Sequence, residues 1–164
     1  MSEYQIRYAD PSDAELIASH RVAMFQAMGE LDGTDVTAVE SATRKRLSAQ
    51  LASGEYTGWL VEIDGVPVAG AGVLLHQYHP TRQNPEGRPT AYILNVYTDP
   101  LHRRAGLATR LIETILAWCR EHDIARASLH TSEAGRPVYE RLGFAPTHEL
   151  RLDLTDPVRT GSLP

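Results

Sequence analysis

A single cysteine, Cys119, stands in 164 residues. It excludes an intramolecular disulfide and a thiolate metal cluster, so the fold must hold by packing, and a reducing, cytoplasmic setting is expected. No apolar run approaches the roughly 20 residues of a membrane span, and Met1-Ser2-Glu3-Tyr4-Gln5 has neither the basic start nor the apolar stretch of a secretory signal. Positive charge is sparse: 16 Lys and Arg against 21 Asp and Glu give a net charge of −5, and the densest basic block is Arg44-Lys45-Arg46. That argues against a general nucleic-acid binder or an anionic-membrane binder, and any phosphate ligand must be held locally. Also missing are Gly-x-x-x-x-Gly-Lys-Ser/Thr and a Gly-x-Gly-x-x-Gly after the first strand, so phosphate-loop kinase and dehydrogenase functions fall away. The seven histidines show no His-Glu-x-x-His and no paired Cys/His spacing, so no metal site is expected.

What is present is an ordinary globular mixture, 42% hydrophobic and 23% charged, at the size of one domain. No repeat or boundary divides residues 1–164, and 155–164 reads as a loose tail. Tyr4, Ile6 and Tyr8 alternate with Gln5 and Arg7 as a half-buried strand does. Asp10-Pro11-Ser12-Asp13 carries helix-start chemistry, predicting a helix from about Pro11 to Met28 with Leu16, Ile17, Ala23, Met24 and Met28 inward. A second helix, about Asp35 to Ser53, turns Val36, Val39, Leu47 and Leu51 to one side and ends at Gly54. Trp59–Ile63 and Val66–Gly70 flank Asp64-Gly65, a hairpin signal. The proline-rich stretch from His76 to Pro89 reads as a long exposed loop of the kind that often carries function. Ala91–Thr98 is apolar enough for a central strand.

Arg103-Arg104-Ala105-Gly106-Leu107-Ala108 follows, and then a helix to about His122 with Leu107, Leu111, Ile115 and Cys119 at helical spacing. A core-facing Cys119 is a small hydrophobe rather than a nucleophile. Further elements are a strand Ala125–His130, a helix of about Arg136–Leu142 ended by Gly143, and a last strand in which Leu150, Leu152 and Leu154 alternate with charged residues. A strand, a glycine turn and a helix leave main-chain N–H groups converging at a positive helix end, which suits a pyrophosphate, and Arg103, Arg104 and Arg110 add charge. The turn alone leaves open the blander alternative of a structural glycine beside solvated arginines.

Val96-Tyr97-Thr98-Asp99-Pro100-Leu101-His102-Arg103-Arg104-Ala105-Gly106-Leu107-Ala108 resembles the acyl-CoA signature of the GNAT superfamily of N-acetyltransferases. Arg103, Gly106 and Ala108 fill the fixed positions of its Gln/Arg-x-x-Gly-x-Gly/Ala core. Tyr139-Glu140-Arg141-Leu142-Gly143-Phe144 resembles that family's Tyr-x-x-x-Gly-Phe close, and the similarity runs from about Tyr4 to Leu154. It implies an α/β (mixed α+β) fold, a mostly antiparallel sheet of about six or seven strands flanked by about four helices. It also implies acetyl-CoA as acyl donor, with pantetheine against Val96 and Thr98. The pyrophosphate would lie on the run Arg103, Arg104, Ala105, Gly106, Leu107, Ala108 and Thr109.

By the same resemblance Tyr139 is the general acid that protonates the departing thiolate, and Asn95 lies beside the thioester to orient the acceptor or a water. Ser132 stands where many relatives have a cofactor-contacting asparagine, and Arg136 either approaches a CoA phosphate or is an exposed helix residue. For the general base, His76, His79, Glu86 and Glu133 stay open. The expected function is acetyl transfer to the primary amine of a small molecule in a ternary complex, in a chain that forms a homodimer as relatives often do. A protein or peptide N-acetyltransferase, or an inactive acyl-CoA-binding regulatory module, are the alternatives.

Overall fold

The computed structural model describes residues 3–154, so the expected tail lies outside the described residues. These form β1 (Gln5–Tyr8), a 3-10 turn (Pro11–Asp13), α1 (Ala14–Ala27), α2 (Val36–Ser53), β2 (Tyr56–Ile63), β3 (Val66–His76), β4 (Thr90–Thr98), a second 3-10 turn (Pro100–His102), α3 (Leu107–Glu121), β5 (Arg126–Leu129) and α4 (Arg136–Arg141). The strands lie side by side in chain order; β1 to β4 pair antiparallel, and β5 joins β4 in parallel. The mixed α/β class is as expected, with five strands among the described residues.

The expected last strand is not formed. Leu150, Leu152 and Leu154 are 95%, 62% and 77% exposed and pair with no strand. Alternation assigns a strand its faces but supplies no partner edge, and a strand is stable only in a ladder. Instead Arg151 reaches His130, just past the end of β5.

Asp64 and Gly65 turn β2 into β3 with both residues at positive φ, 52° and 76°, the geometry of a tight two-residue hairpin. β2 starts earlier than its apolar run suggests, and β3 continues well past Gly70. Gly70 and Gly72 resemble turn punctuation in the sequence, yet they are strand positions against which neighbours press. A Cβ on Gly70 would lie 2.9 Å from Leu60 Cδ2, and one on Gly72 2.0 Å from the Tyr56 hydroxyl.

Helices cover both faces of the sheet. On one, Leu107, Leu111, Ile112, Ile115 and Cys119 of α3 pack on Trp59, Val61, Ala69, Val73 and Ile93; each large side chain so buried contributes roughly 1.5–3 kcal/mol. On the other, Ala14, Ile17 and Ala18 of α1 and Leu47 of α2 close over Tyr56 and Leu60. Val22 continues this buried face of α1. Met24 and Met28, expected inward, line an open cleft instead, because the last turns of α1 run past the sheet contact. The 77–89 segment is an ordered loop: buried Asn84 donates to Arg88 O at 2.8 Å and accepts from Arg88 N at 3.0 Å, and Arg88 pairs with Asp123 at 2.9 Å.

Arg7 ties the sheet edge to α1. Its guanidinium donates twice to Asp13, at 2.7 and 2.8 Å, and once to Glu62 at 2.7 Å, while Asp10 N donates to Asp13 Oδ2 at 2.8 Å. The Arg7 bonds hold the Asp13 carboxyl below its usual 3.8, against the opposing effect of burial. Its contribution to stability is therefore present above the unfolded carboxyl's pKa and lost as pH falls through the lower folded value. With Arg7 still 37% exposed, the pair belongs at the modest end for ion pairs. Asp13→Asn is expected to cost about 1–2 kcal/mol at pH 7 and to flatten the loss of stability below about pH 4, as urea unfolding across pH would measure.

Candidate functional site

β5 ends at Leu129, opposite Ile93 of β4. The stretch Leu94–Thr98 therefore has β3 on one edge and no strand partner on the other among the described residues. Gly72 pairs with Leu94 and Gly70 with Tyr97, so β4 carries one residue more than β3 over this step. Asn95 takes up the excess as a bulge at φ 56°, a left-handed conformation that asparagine tolerates better than most residues. The bulge turns Asn95 toward the α1/α2 face while Val96 packs toward the α3 core.

Asn95 is buried and its amide is used at both ends. Arg21 Nη1 of α1 donates to Asn95 Oδ1 at 2.6 Å, and Asn95 Nδ2 donates to Tyr56 Oη at 3.2 Å. Burial pushes the Tyr56 phenol up to about 12. Arg21 also stacks on Phe25, its guanidinium carbon 4.5 Å from the ring centre. Asn95 thus has its amide pinned in place, an orienting group rather than one that titrates.

The chain leaves β4 through Asp99, whose carboxylate accepts from Leu101 N at 2.8 Å, and then turns with Arg104 and Gly106 at φ 66° and 75°. Gly106 is the N-cap of α3 and supplies no side chain, so the first-turn N–H groups have no capping acceptor. Anion binding is the chemistry of such a helix start. A cleft of about 1090 Å³ opens here between the β4 edge, α3, the 130–141 segment and the end of α1.

Asn95, Val96, Thr98, Arg103, Arg104, Gly106, Leu107, Ala108, Thr109, Ser132 and Tyr139 all line this cleft. Ala105 and Arg136 do not; Arg136 is held by Glu133 at 2.7 Å. Tyr139 stands on α4 with its ring edge-on to Phe144 at 5.9 Å, and its hydroxyl bonds to no described residue. Burial alone raises its pKa, so it carries its proton at neutral pH. Arg21, Arg103, Arg104, Arg141 and Arg151 line the cleft against one acid, Glu30, in a chain that is acidic overall.

His76, His79, Glu86 and Glu133 lie outside the cleft wall. His130 lies on it, its Nδ1 2.7 Å from the Tyr92 hydroxyl and its Nε2 in contact with Arg151. Sequence reasoning missed Arg21, Tyr56, Tyr92 and His130. A usable signal existed for His130 alone: it follows the carboxyl end of a strand in a parallel pair, where ligands gather in α/β sheets. Among the described residues no group of three or more His, Cys, Asp or Glu is arranged to hold a metal ion, and no helix is long and apolar enough to cross a membrane.

A strand edge left open beside an uncapped helix start, with Tyr139 on the same cleft, suits a ligand that carries both amides and an anionic group. Residues 25–144 match the acetyltransferase (GNAT) family, and the chain belongs to that family. A GCN5-related N-acetyltransferase from Ralstonia eutropha JMP134 is 35% identical with a TM-score of 0.86, covering 94% of this chain and 100% of that one. A predicted acetyltransferase from Clostridium acetobutylicum, solved with acetyl-CoA, is 29% identical with a TM-score of 0.84, covering 93% and 97%. A glucosamine 6-phosphate N-acetyltransferase of Trypanosoma brucei brucei is 36% identical over 88 residues, 53% of this chain; the match spans 58% of that relative's length.

Gly72 underlies the bulge network, since Tyr56 fills the space of its missing side chain. Gly72→Ala is expected to push the Tyr56 ring off Asn95 and to cost about 1–3 kcal/mol as overpacking does. Chemical denaturation would give the loss of stability, and acetyl transfer measured well below the variant's unfolding transition should fall with it.

Proposed function

We infer that this protein is an acetyl-CoA-dependent N-acetyltransferase that acetylates a primary amine of a small molecule by direct transfer in a ternary complex. One observation carries the assignment: the open β4 edge, the α3 amides and the Tyr139 hydroxyl face a single cleft. The acetyl-CoA held by the Clostridium neighbour supports the donor, and the Trypanosoma relative's name supports a small amine as acceptor.

The residues present fit the donor. Amides of a pantetheine arm can pair with the strand-free edge of β4 at Val96 and Thr98, as an added strand would, with the Thr98 carbonyl now accepting from Arg103 Nε at 3.4 Å. The N–H groups of Leu107, Ala108 and Thr109 suit a pyrophosphate, and Arg103 and Arg104 offset its charge. When bound, acetyl-CoA supplies an activated acetyl carbonyl. Main-chain N–H at Val96, beside the bulge, polarises that carbonyl, and Asn95 orients what approaches it.

The acceptor attacks as a free amine, so its ammonium proton must leave first. That proton passes to water in the open cleft; the Tyr92–His130 pair stands on the cleft wall, but His130 Nε2 faces the donor-only Arg151 guanidinium and is not free to take it. As the C–N bond forms and the C–S bond breaks, Tyr139 gives its proton to the sulfur, which leaves as thiol. A phenol and a thiol are close enough in basicity for that exchange. The nitrogen sheds its second proton as the amide forms, and that proton restores Tyr139 through water; the proton lost from the ammonium is the one released to solvent per turnover.

Thermal unfolding with acetyl-CoA, CoA, ATP and NAD in parallel checks the donor. The first two are expected to stabilise the fold, by about 2.7 kcal/mol at 100 times the dissociation constant, and the last two to leave it unmoved. Tyr139→Phe should lower turnover by about 100-fold or more while leaving the CoA-induced shift in place. Unchanged turnover would remove Tyr139 from the mechanism.

A further inference from the structure

A second cavity, of about 420 Å³, lies between α1, α2 and the sheet, and it shares Arg21, Leu94 and Asn95 with the large cleft. Its remaining wall is apolar at Tyr56 and Leu74 of the sheet and at Leu47 of α2, and polar at Thr43, Arg46 and Gln50 of α2. The spacing Thr43, Arg46, Gln50 puts those three on one face of α2. No carboxylate lines this cavity, although the chain has 21 Asp and Glu. Neither Arg21 nor Arg46 takes part in an ion pair with a described residue.

The volume falls within the range of small-molecule sites. Two guanidinium groups on a wall without carboxylates repel a purely cationic ligand and favour an anion, which Arg holds by paired N–H groups; Glu30, the acid that acts on Arg21, lies on the neighbouring cleft and not on this wall. The shared residues put this cavity beside the bulge, where the acetyl carbonyl would be presented.

We propose that this cavity is the acceptor subsite and that it selects amines carrying an acid group, a phosphate or a carboxylate, with the acid held by Arg46 and Arg21 and the amine directed to the bulge. This rests on the acetyltransferase function above and narrows its substrate class. The bond that forms and the group that leaves are those already described; the subsite contributes binding and orientation.

The test is a set of matched amines assayed by thiol release with acetyl-CoA: glucosamine 6-phosphate against glucosamine, β-alanine against its amide, and putrescine as a dication. The acidic member of at least one pair should lead in kcat/KM by about 10-fold or more, as the loss of a charge-assisted contact would give, and which pair shows it tells phosphate from carboxylate. Arg46→Gln should collapse that lead, Arg46→Lys should restore part of it, and Arg46→Glu should turn it toward putrescine. Lys45→Gln, beside the cavity and outside its wall, is expected to keep the lead. Equal or better use of the neutral or cationic amines, or a lead that survives Arg46→Gln, overturns the proposal.

Thermal shifts with the same amines in the presence of CoA give a second readout. If no amine is acetylated, the acetyltransferase function fails. The anion subsite then stands if the acidic amines still stabilise the wild type and not Arg46→Gln, and falls if they do not.

Discussion

The stretch Leu94–Thr98 of β4 pairs with β3 through Leu94, Tyr97 and Thr98, bulges at Asn95, and has no strand on its other edge among the described residues, and the site is arranged around that imbalance. Main-chain N–H and C=O groups left without partners away from water cost about 1–3 kcal/mol each, so a natural fold closes a sheet or exposes its edge. Here β5 stops after four residues, and the chain past it swings away to carry Tyr139 across the gap. The opening is a place for a ligand with its own amides. The glycine turn that follows directly on β4 sets a helix start at the end of that edge, so one short stretch of chain offers main-chain pairing and an anion site in sequence.

The bulge gives the edge its direction. One surplus residue in β4 is absorbed at Asn95, and the strain of a left-handed asparagine is supported by hydrogen bonds to its side chain on both sides. That support is long-range. Arg21 comes from α1, Tyr56 from the start of β2, and the room for Tyr56 from Gly72 of β3. Of these side chains Arg21 and Asn95 line both the large cleft and the smaller cavity, and Tyr56 lines the smaller one, so the groups that hold the bulge also shape the space beside it.

Charge is distributed against the composition. A net charge of −5 excludes broad attraction to polyanions, yet the cleft wall gathers five arginines against one glutamate. The acids lie elsewhere, and some are committed to structure: Asp13 and Glu62 neutralise Arg7 at the sheet edge, and Glu133 holds Arg136 away from the cleft. A whole-chain charge therefore speaks to general association, while ligand preference follows the few side chains a fold brings together.

Local chemistry made much of this legible in the sequence. The Asp64-Gly65 hairpin, the Gly54 helix end, the one-sided apolar face of α3 and the Arg103–Ala108 turn depend on neighbours a few residues apart, and each took the form its residues dictate. The strand expected at Leu150–Leu154 failed because alternation names no partner, and β3 outran Gly70 because a glycine that yields to a distant side chain looks like one that makes a turn. Arg21 and Tyr56 carried no mark of their roles, since each meets Asn95 across 74 and 39 residues of chain, and His130 was marked only by its place after a strand of a parallel pair. The sequence by itself determined most of the elements, the family and the turn of contiguous main chain that lines the large cleft. Only the tertiary structure decided the smaller cavity, because its walls are side chains from α1, α2, β2, β3 and β4 that meet nowhere but in the folded protein.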